Sequence, residues 1–362
     1  MHIVLTNILC FMACVFCLAC GQDKAPFKIV ANISLTGPGS SSAGIGEAMQ
    51  LAVDEVNAMG GVSGRKIELI VEDNQSSPEV AVTLFRRVEA AHRPDIYISG
   101  LSSITKTLSP LAEANQVPLI GLITSAPEVT QNKKWTFRFY FTAYDEAETA
   151  MNILEKLQID RLGVIYLDDP YGRSCHLLLS EKVKAAGGAV TATPFVRGQT
   201  DFSGQIVQVM DTQAVYLAGY VSHMTMLVPQ LRTAGYAGEI ICGSGGASSK
   251  VRRIAAAEGI YVAAPAIYNP QYIYARSLRE KFYMRYGREL EHQDATGYDL
   301  IKLLAGLLDG KPIDRASIKK TLEQGFTYPS AMGNVTVPAG SHEINFELLP
   351  GRIKNAGIDY RF

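Results

Sequence analysis

Cysteine is scarce in the body of this chain. Of six in 362 residues, Cys10, Cys14, Cys17 and Cys20 crowd the first twenty positions, leaving only Cys175 and Cys242 beyond them. Two thiols so far apart pair only if the fold brings their Cα atoms to about 6 Å, which the sequence leaves open. No CxxC, His–Cys cluster or HExxH follows residue 20, so there is no zinc signature and no cofactor is implied. Excess charge is missing too. Lys and Arg (34) against Asp and Glu (35) give a formal net charge of −1, without the basic field that nucleic acid requires. Disorder is excluded by 47% hydrophobic residues, ample to offset chain entropy. The length suits about two domains.

The one long apolar run is Ile3 to Ala19, interrupted only by Thr6 and Asn7. It is short for a membrane span and right for a secretory leader. Leu18-Ala19-Cys20-Gly21 followed by Gln22, Asp23 and Lys24 resembles a bacterial lipobox, in which Cys20 takes a lipid and becomes the new N-terminus. Two features depart from that pattern: the start carries His2 but no Lys or Arg, and Cys17 stands where Leu is usual. Cleavage near Ala19 without lipidation is the alternative. On this reading residues 1–19 are a signal peptide and 20–26 a lipidated tether.

From Lys28 onward short apolar runs alternate with amphipathic helical stretches. Lys28–Ile33 reads as a strand and Gly46–Met59 as a helix with Met49, Ala52, Val53 and Val56 on one face. The alternation continues to the strand Pro118–Leu122 and restarts after Trp135–Phe141. It runs on to Ile260–Ala264, followed by helices Tyr274–Tyr286, Thr296–Leu308 and Arg315–Glu323 and a β-like tail from Gly333. Near-continuous apolar strands between helices predict parallel sheets covered on both faces, a doubly wound α/β class. Two such blocks in succession predict two lobes.

Ligands of open α/β sheets bind beyond the carboxyl ends of the strands, and the loops there are small and polar. Ser34 to Gly44 is rich in Gly and Ser; it lacks the Gly-Lys-Ser/Thr of a Walker loop. Ser102 and Ser103 open a helix, where hydroxyls serve as caps or as anion ligands. Ile123-Thr124-Ser125 follows the next strand, and two hydroxyl-rich loops on consecutive strands point to one polar pocket. In the second block, Asp168-Asp169-Pro170-Tyr171-Gly172 and Gly219-Tyr220 place aromatic rings at corresponding rims. Enzyme signals are weak. His92, His176, His223, His292 and His342 are scattered, with no GxSxG elbow, and His176 beside Cys175 diverges from it on a helix. Gly243-Ser244-Gly245-Gly246 reads as a tight turn, and the Lys133-Lys134 and Arg252-Arg253 doublets as solvated surface.

Taken in order, Leu35-Thr36-Gly37-Pro38, the segment Ala52 to Gly64, Pro127-Glu128-Val129-Thr130, Asp169-Pro170-Tyr171-Gly172 and Tyr298-Asp299 resemble the type I periplasmic binding proteins. The branch they resemble binds leucine, isoleucine and valine. The resemblance runs from about Phe27 almost to the C-terminus. It implies two lobes joined by three crossings, the first spanning 27–142 and 272–341, the second 143–271 and 342–362. Small-molecule ligand would bind between them, and the closed form would present it to the membrane permease and ATPase of an importer. Residue by residue, Ser102 and Ser125 match the hydroxyls on the ligand carboxylate. Ile123 matches the carbonyl that meets its ammonium, and Tyr171 and Tyr220 match aromatics lining the cleft. Gly245 stands where the family has an acid for the ammonium, and the loop at 39–43 lacks the family's tyrosine. The expectation is weak binding of plain branched amino acids and a substituted or non-amino carboxylate as ligand, unless Asp145, Asp168 or Asp169 supplies the charge. A sensor reporting ligand state to a signalling partner, and a hydrolase using Ser102 or Cys175, are the competing readings.

Overall fold

The computed structural model describes residues 24–40, 44–344 and 346–361; Cys20 and the rest of the apolar leader lie outside them. The first lobe opens with β1 (Phe27–Ile33), α1 (Ile45–Ala58), β2 (Ile67–Asp73) and α2 (Pro78–His92). It continues through β3 (Ile96–Gly100), α3 (Ser102–Asn115), β4 (Leu119–Leu122) and β5 (Thr136–Phe139). β1 lies between β2 and β3, and β3, β4 and β5 follow, all in parallel. Every residue of β3, β4 and β5 is buried, which is why β3 and β4 read as largely apolar runs; β5 buries Arg138 between two phenylalanines. The Gly60-Gly61 turn after α1 has φ of 109° and 82°. A Cβ on Gly61 would lie 2.0 Å from Arg65 O, so the turn requires glycine.

The second lobe repeats the scheme. α4 (Ala143–Lys156), β6 (Arg161–Leu167), α5 (Pro170–Ala185), β7 (Ala189–Phe195) and α6 (Ser203–Val209) lead to β8 (Ala214–Ala218). α7 (Val221–Thr233), β9 (Glu239–Cys242), α8 (Ser249–Arg252) and β10 (Tyr261–Pro265) complete it. The strands run β10-β9-β8-β6-β7, parallel throughout. The chain then returns to the first lobe with α9 (Ile273–Tyr286), α10 (His292–Leu308) and α11 (Arg315–Leu322), α10 lying along α1.

The tail is more ordered than its sequence suggested. β11 (Phe326–Ser330) and β12 (Gly333–Val337) form a separate antiparallel pair. β13 (Glu343–Ile344) then adds in parallel to β5, so the sheet membership of the first lobe extends past the 341 boundary that the resemblance implied. Arg138 accounts for this. Its side chain is fully buried on β5, and its Nε sits 2.8 Å from Glu343 Oε2. A desolvated guanidinium holds its carboxylate close. β14 (Leu348–Lys354) and β15 (Gly357–Asp359) finally add antiparallel to β10, so the second sheet is mixed. Asn355 and Ala356, at φ 51° and 56°, make the two-residue hairpin turn between them. Cys175 and Cys242 are buried and unpaired. Among the described residues no helix is long and apolar enough to cross a membrane.

Candidate functional site

The carboxyl ends of β3 and β4 build one side of a cleft. Two bulky residues there adopt the left-handed region, Leu101 at φ 72° and Ile123 at φ 50°, a strained state that persists where surrounding structure enforces it. Leu101 turns the chain so that Ser102 becomes the first residue of α3. No side chain caps that helix, so its leading N–H groups are open toward the cleft. Ser102 Oγ accepts hydrogen bonds from the N–H groups of Ser125 and Ala126, both at 3.1 Å. With its oxygen polarised by two donors, the Ser102 proton is free to be given elsewhere. Thr124 faces the other way. Its Oγ1 sits 2.9 Å from both Thr105 Oγ1 and Leu122 O, inside the lobe.

The second lobe contributes two tyrosines, each tied to a buried acid. Asp169 caps α5 through Gly172 N (2.9 Å) and accepts the Tyr220 hydroxyl at 2.7 Å. Burial raises its carboxyl pKa, opposed by those hydrogen bonds. The Tyr171 hydroxyl donates to Glu146 Oε2 at 2.8 Å. Glu146, fully buried in the first turn of α4, also accepts Ser244 N at 2.8 Å and the Cys175 thiol at 3.5 Å. Burial and the Glu146 charge push the Cys175 pKa well up, so this sulfur is a thiol and not a nucleophilic thiolate. Asp145 is spent in a capping box with Thr142, and Asp168 pairs with Arg173 at the surface. Neither lines the cleft.

These parts line a cavity of about 40 Å3 between the lobes. The first lobe lines the space with Leu101, Ser102, Ile123, Ser125, Tyr140 and Gln293; the second with Tyr171, Gly219, Tyr220, Val221, Ser244 and Gly245. Of the residues singled out from sequence, Ser102, Ile123, Ser125, Tyr171, Tyr220 and Gly245 come together here. Ser103 and Thr124 do not line the space. Ser103 Oγ instead accepts a bond from Arg197 Nη2 at 3.2 Å. Sequence reasoning missed Tyr140, which reads as core within Phe-Tyr-Phe, and Gln293, which lies before the expected start of its helix. Glu146 was also missed, one residue beyond an acid that was considered. Gly245 packs on the second lobe's own backbone, where a Cβ would lie 3.3 Å from Gly219 O.

The lobes touch on either side of the cleft. Arg197, in the loop after β7, donates to Ser76 O as well as to Ser103, and Ser222 Oγ donates to Pro38 O at 3.0 Å. Elsewhere Glu291 accepts Ser249 N at 3.1 Å and the Tyr268 hydroxyl at 2.7 Å. A broader hollow between α6 and α7 lies within the second lobe and involves no strand end of the first.

Comparison with known proteins agrees with this architecture. A leucine-binding protein from Thermotoga maritima superposes with a TM-score of 0.83 at 24% identity, covering 92% of this chain and 97% of that one. A solute-binding protein of an ABC transporter from Rhodopseudomonas palustris, solved with 3,4-dihydroxybenzoic acid, gives 0.82 at 17%, covering 92% and 95%. At these identities the likeness is one of fold. In sequence, the Leu/Ile/Val/Thr-binding protein of Salmonella typhimurium is 28% identical over 227 residues, 60% of this chain and 62% of that protein's length. The family model for periplasmic binding proteins matches residues 26–357, and the chain belongs to that family.

Proposed function

We propose that this chain is the extracytoplasmic receptor of an ABC importer, closing two lobes over a small carboxylate and handing it to a membrane permease and its ATPase. The observation that carries the reading is Ser102: a buried hydroxyl whose oxygen already takes two backbone N–H groups, beside the uncapped start of α3. Donors converging without a cation suit a carboxylate held by hydrogen bonds. Ser125, Ile123, Tyr171 and Tyr220 would complete the ligand shell. The names of the relatives point to branched amino acids, and the neighbour solved with dihydroxybenzoic acid shows that this fold also holds an acid without an ammonium. Gly245 offers no carboxylate at all, so plain leucine, isoleucine and valine should bind weakly. A lipid on Cys20 would keep the receptor at the membrane surface; Cys20→Ala should then release it into solution.

Native mass spectrometry of freshly purified protein, followed by calorimetry, tests the reading. A co-purified or titrated small acid that binds one per chain supports it. Micromolar binding of leucine would restore an ordinary branched-chain receptor, and capture of a ligand with no acidic group would overturn the carboxylate anchor.

A further inference from the structure

We infer that the ligand also carries a neutral hydrogen-bond donor, a hydroxyl or carboxamide, read by Tyr171 and Tyr220 across the cleft from Ser102 and Ser125, and by Gln293 on the serines' own side. The inference rests on the carboxylate reading above and specifies the rest of the molecule. Tyr171 and Tyr220 both line the cavity, and each has committed its phenolic proton to a buried carboxylate, at 2.8 and 2.7 Å. What either oxygen can still give a ligand is a lone pair. Gln293 adds a third acceptor. It lies in the first turn of α10, is 4% exposed and lines the same cavity, and its Oε1 is buried with no partner. Buried polar groups in folded proteins are met by protein, water or ligand, so an orphan oxygen lining a cleft marks where a donor belongs. Near Ser125 on the first lobe, the Ser102 hydroxyl and the start of α3 are donors. The cavity therefore presents donors at Ser102 and the start of α3, and acceptors at the two tyrosines and Gln293.

The donor is uncharged because of where the acids stand. Glu146 and Asp169 sit one layer behind the cavity surface and already accept two or more hydrogen bonds each. The lining side chains offer phenol, amide and serine hydroxyl oxygens, none of them charged, and Gly245 adds no side chain. An ammonium sealed there would meet no carboxylate directly and would lose its hydration uncompensated. A hydroxyl or carboxamide would not. Three tyrosine rings, Tyr140, Tyr171 and Tyr220, line the space and suit a flat acid that can stack against them.

Calorimetry on the intact mature protein, freed of bound ligand by dialysis, tests this with matched probes. Benzoate is compared with 4-hydroxybenzoate, and pentanoate with 5-hydroxypentanoate and 5-aminopentanoate; methyl 4-hydroxybenzoate controls for the acid. The hydroxylated acid of at least one pair should bind roughly ten- to a hundredfold tighter than its deoxy partner. That ratio should fall toward one in Gln293→Met or Tyr171→Phe. Equal affinities within both pairs, or a ratio that survives both substitutions, would overturn the donor rule while leaving the carboxylate anchor standing. An aminopentanoate that binds as tightly as the hydroxy acid would overturn its neutrality. A methyl ester as tight as the acid would instead sink the anchor, and silence from every probe would sink both.

Discussion

Ser102 and Ser125 are close neighbours in the cleft with different burdens. Ser102 Oγ accepts from Ser125 N and Ala126 N, so Ser102→Ala removes a ligand contact and also strands two buried N–H groups. Ser125→Ala removes only its own hydroxyl. Loss of one hydrogen bond to a charged group costs about 1.5–3 kcal/mol, or roughly ten- to a hundredfold in affinity. Both variants should weaken binding of the captured acid by about that much, Ser102→Ala more, and only Ser102→Ala should also lower Tm. Equal melting temperatures would mean the N–H groups find other partners. A second residue, further along α10, sets a pH dependence of stability. Asp299 is fully buried, accepting Ser330 Oγ at 2.6 Å and Ala331 N at 2.7 Å, and burial pushes its pKa from 3.8 to about 7. A raised carboxyl favours the protonated fold. Its stabilisation is complete below pH 3.8 and is lost as pH rises through 7. Tm should therefore fall between pH 5 and pH 8 in the wild type, and Asp299→Asn should flatten that slope whatever its absolute Tm. An unchanged slope in the variant would assign the effect to another group.

Element boundaries decided which residues reached the cleft. The sequence reading started α10 at Thr296, but the helix begins at His292, where Asp294 accepts the Glu291 N–H at 3.3 Å. Glu is not among the usual capping residues, so the signal was invisible in the chain. Gln293 sits on that extra turn. The edge strand β13 was missed for a related reason: two residues carry no periodicity, and its place depends on Arg138 across the sheet. Glu343→Ala would leave that guanidinium buried and unpaired. Breaking such a pair costs roughly 3–5 kcal/mol when both partners are buried, and Glu343, with 35% of its side chain exposed, should give about 2–3 kcal/mol. Denaturant melts should show the loss; a change under 0.5 kcal/mol, the level of a neutral surface substitution, would mean water reaches Arg138.

At the scale of the whole molecule the question is what holds the lobes together. Arg197 reaches from the second lobe to Ser76 and Ser103 of the first, and Ser222 reaches Pro38. Contacts made in only one arrangement bias a hinge toward it. Arg197→Ala should speed ligand release by roughly five- to tenfold, the equivalent of about one modest hydrogen bond, with little change in the melting temperature of the empty protein. Small-angle scattering should show the wild type compacting when the acid is added and the variant compacting less. An identical radius with and without saturating ligand would argue for a rigid body. The chain by itself determined the α/β class, the two successive blocks and the strand-end loops of Ser102, Ser125, Tyr171 and Tyr220. Each of these follows from local patterning, apolar runs that must be buried and glycines that must turn. Tertiary structure alone decided that Thr124 turns inward, that Glu146 and Asp169 stand behind the two tyrosines, and that Gln293 faces the cavity without a partner. Those facts depend on which atoms meet across two lobes, and a hydrogen bond between residues far apart in sequence leaves no period to read.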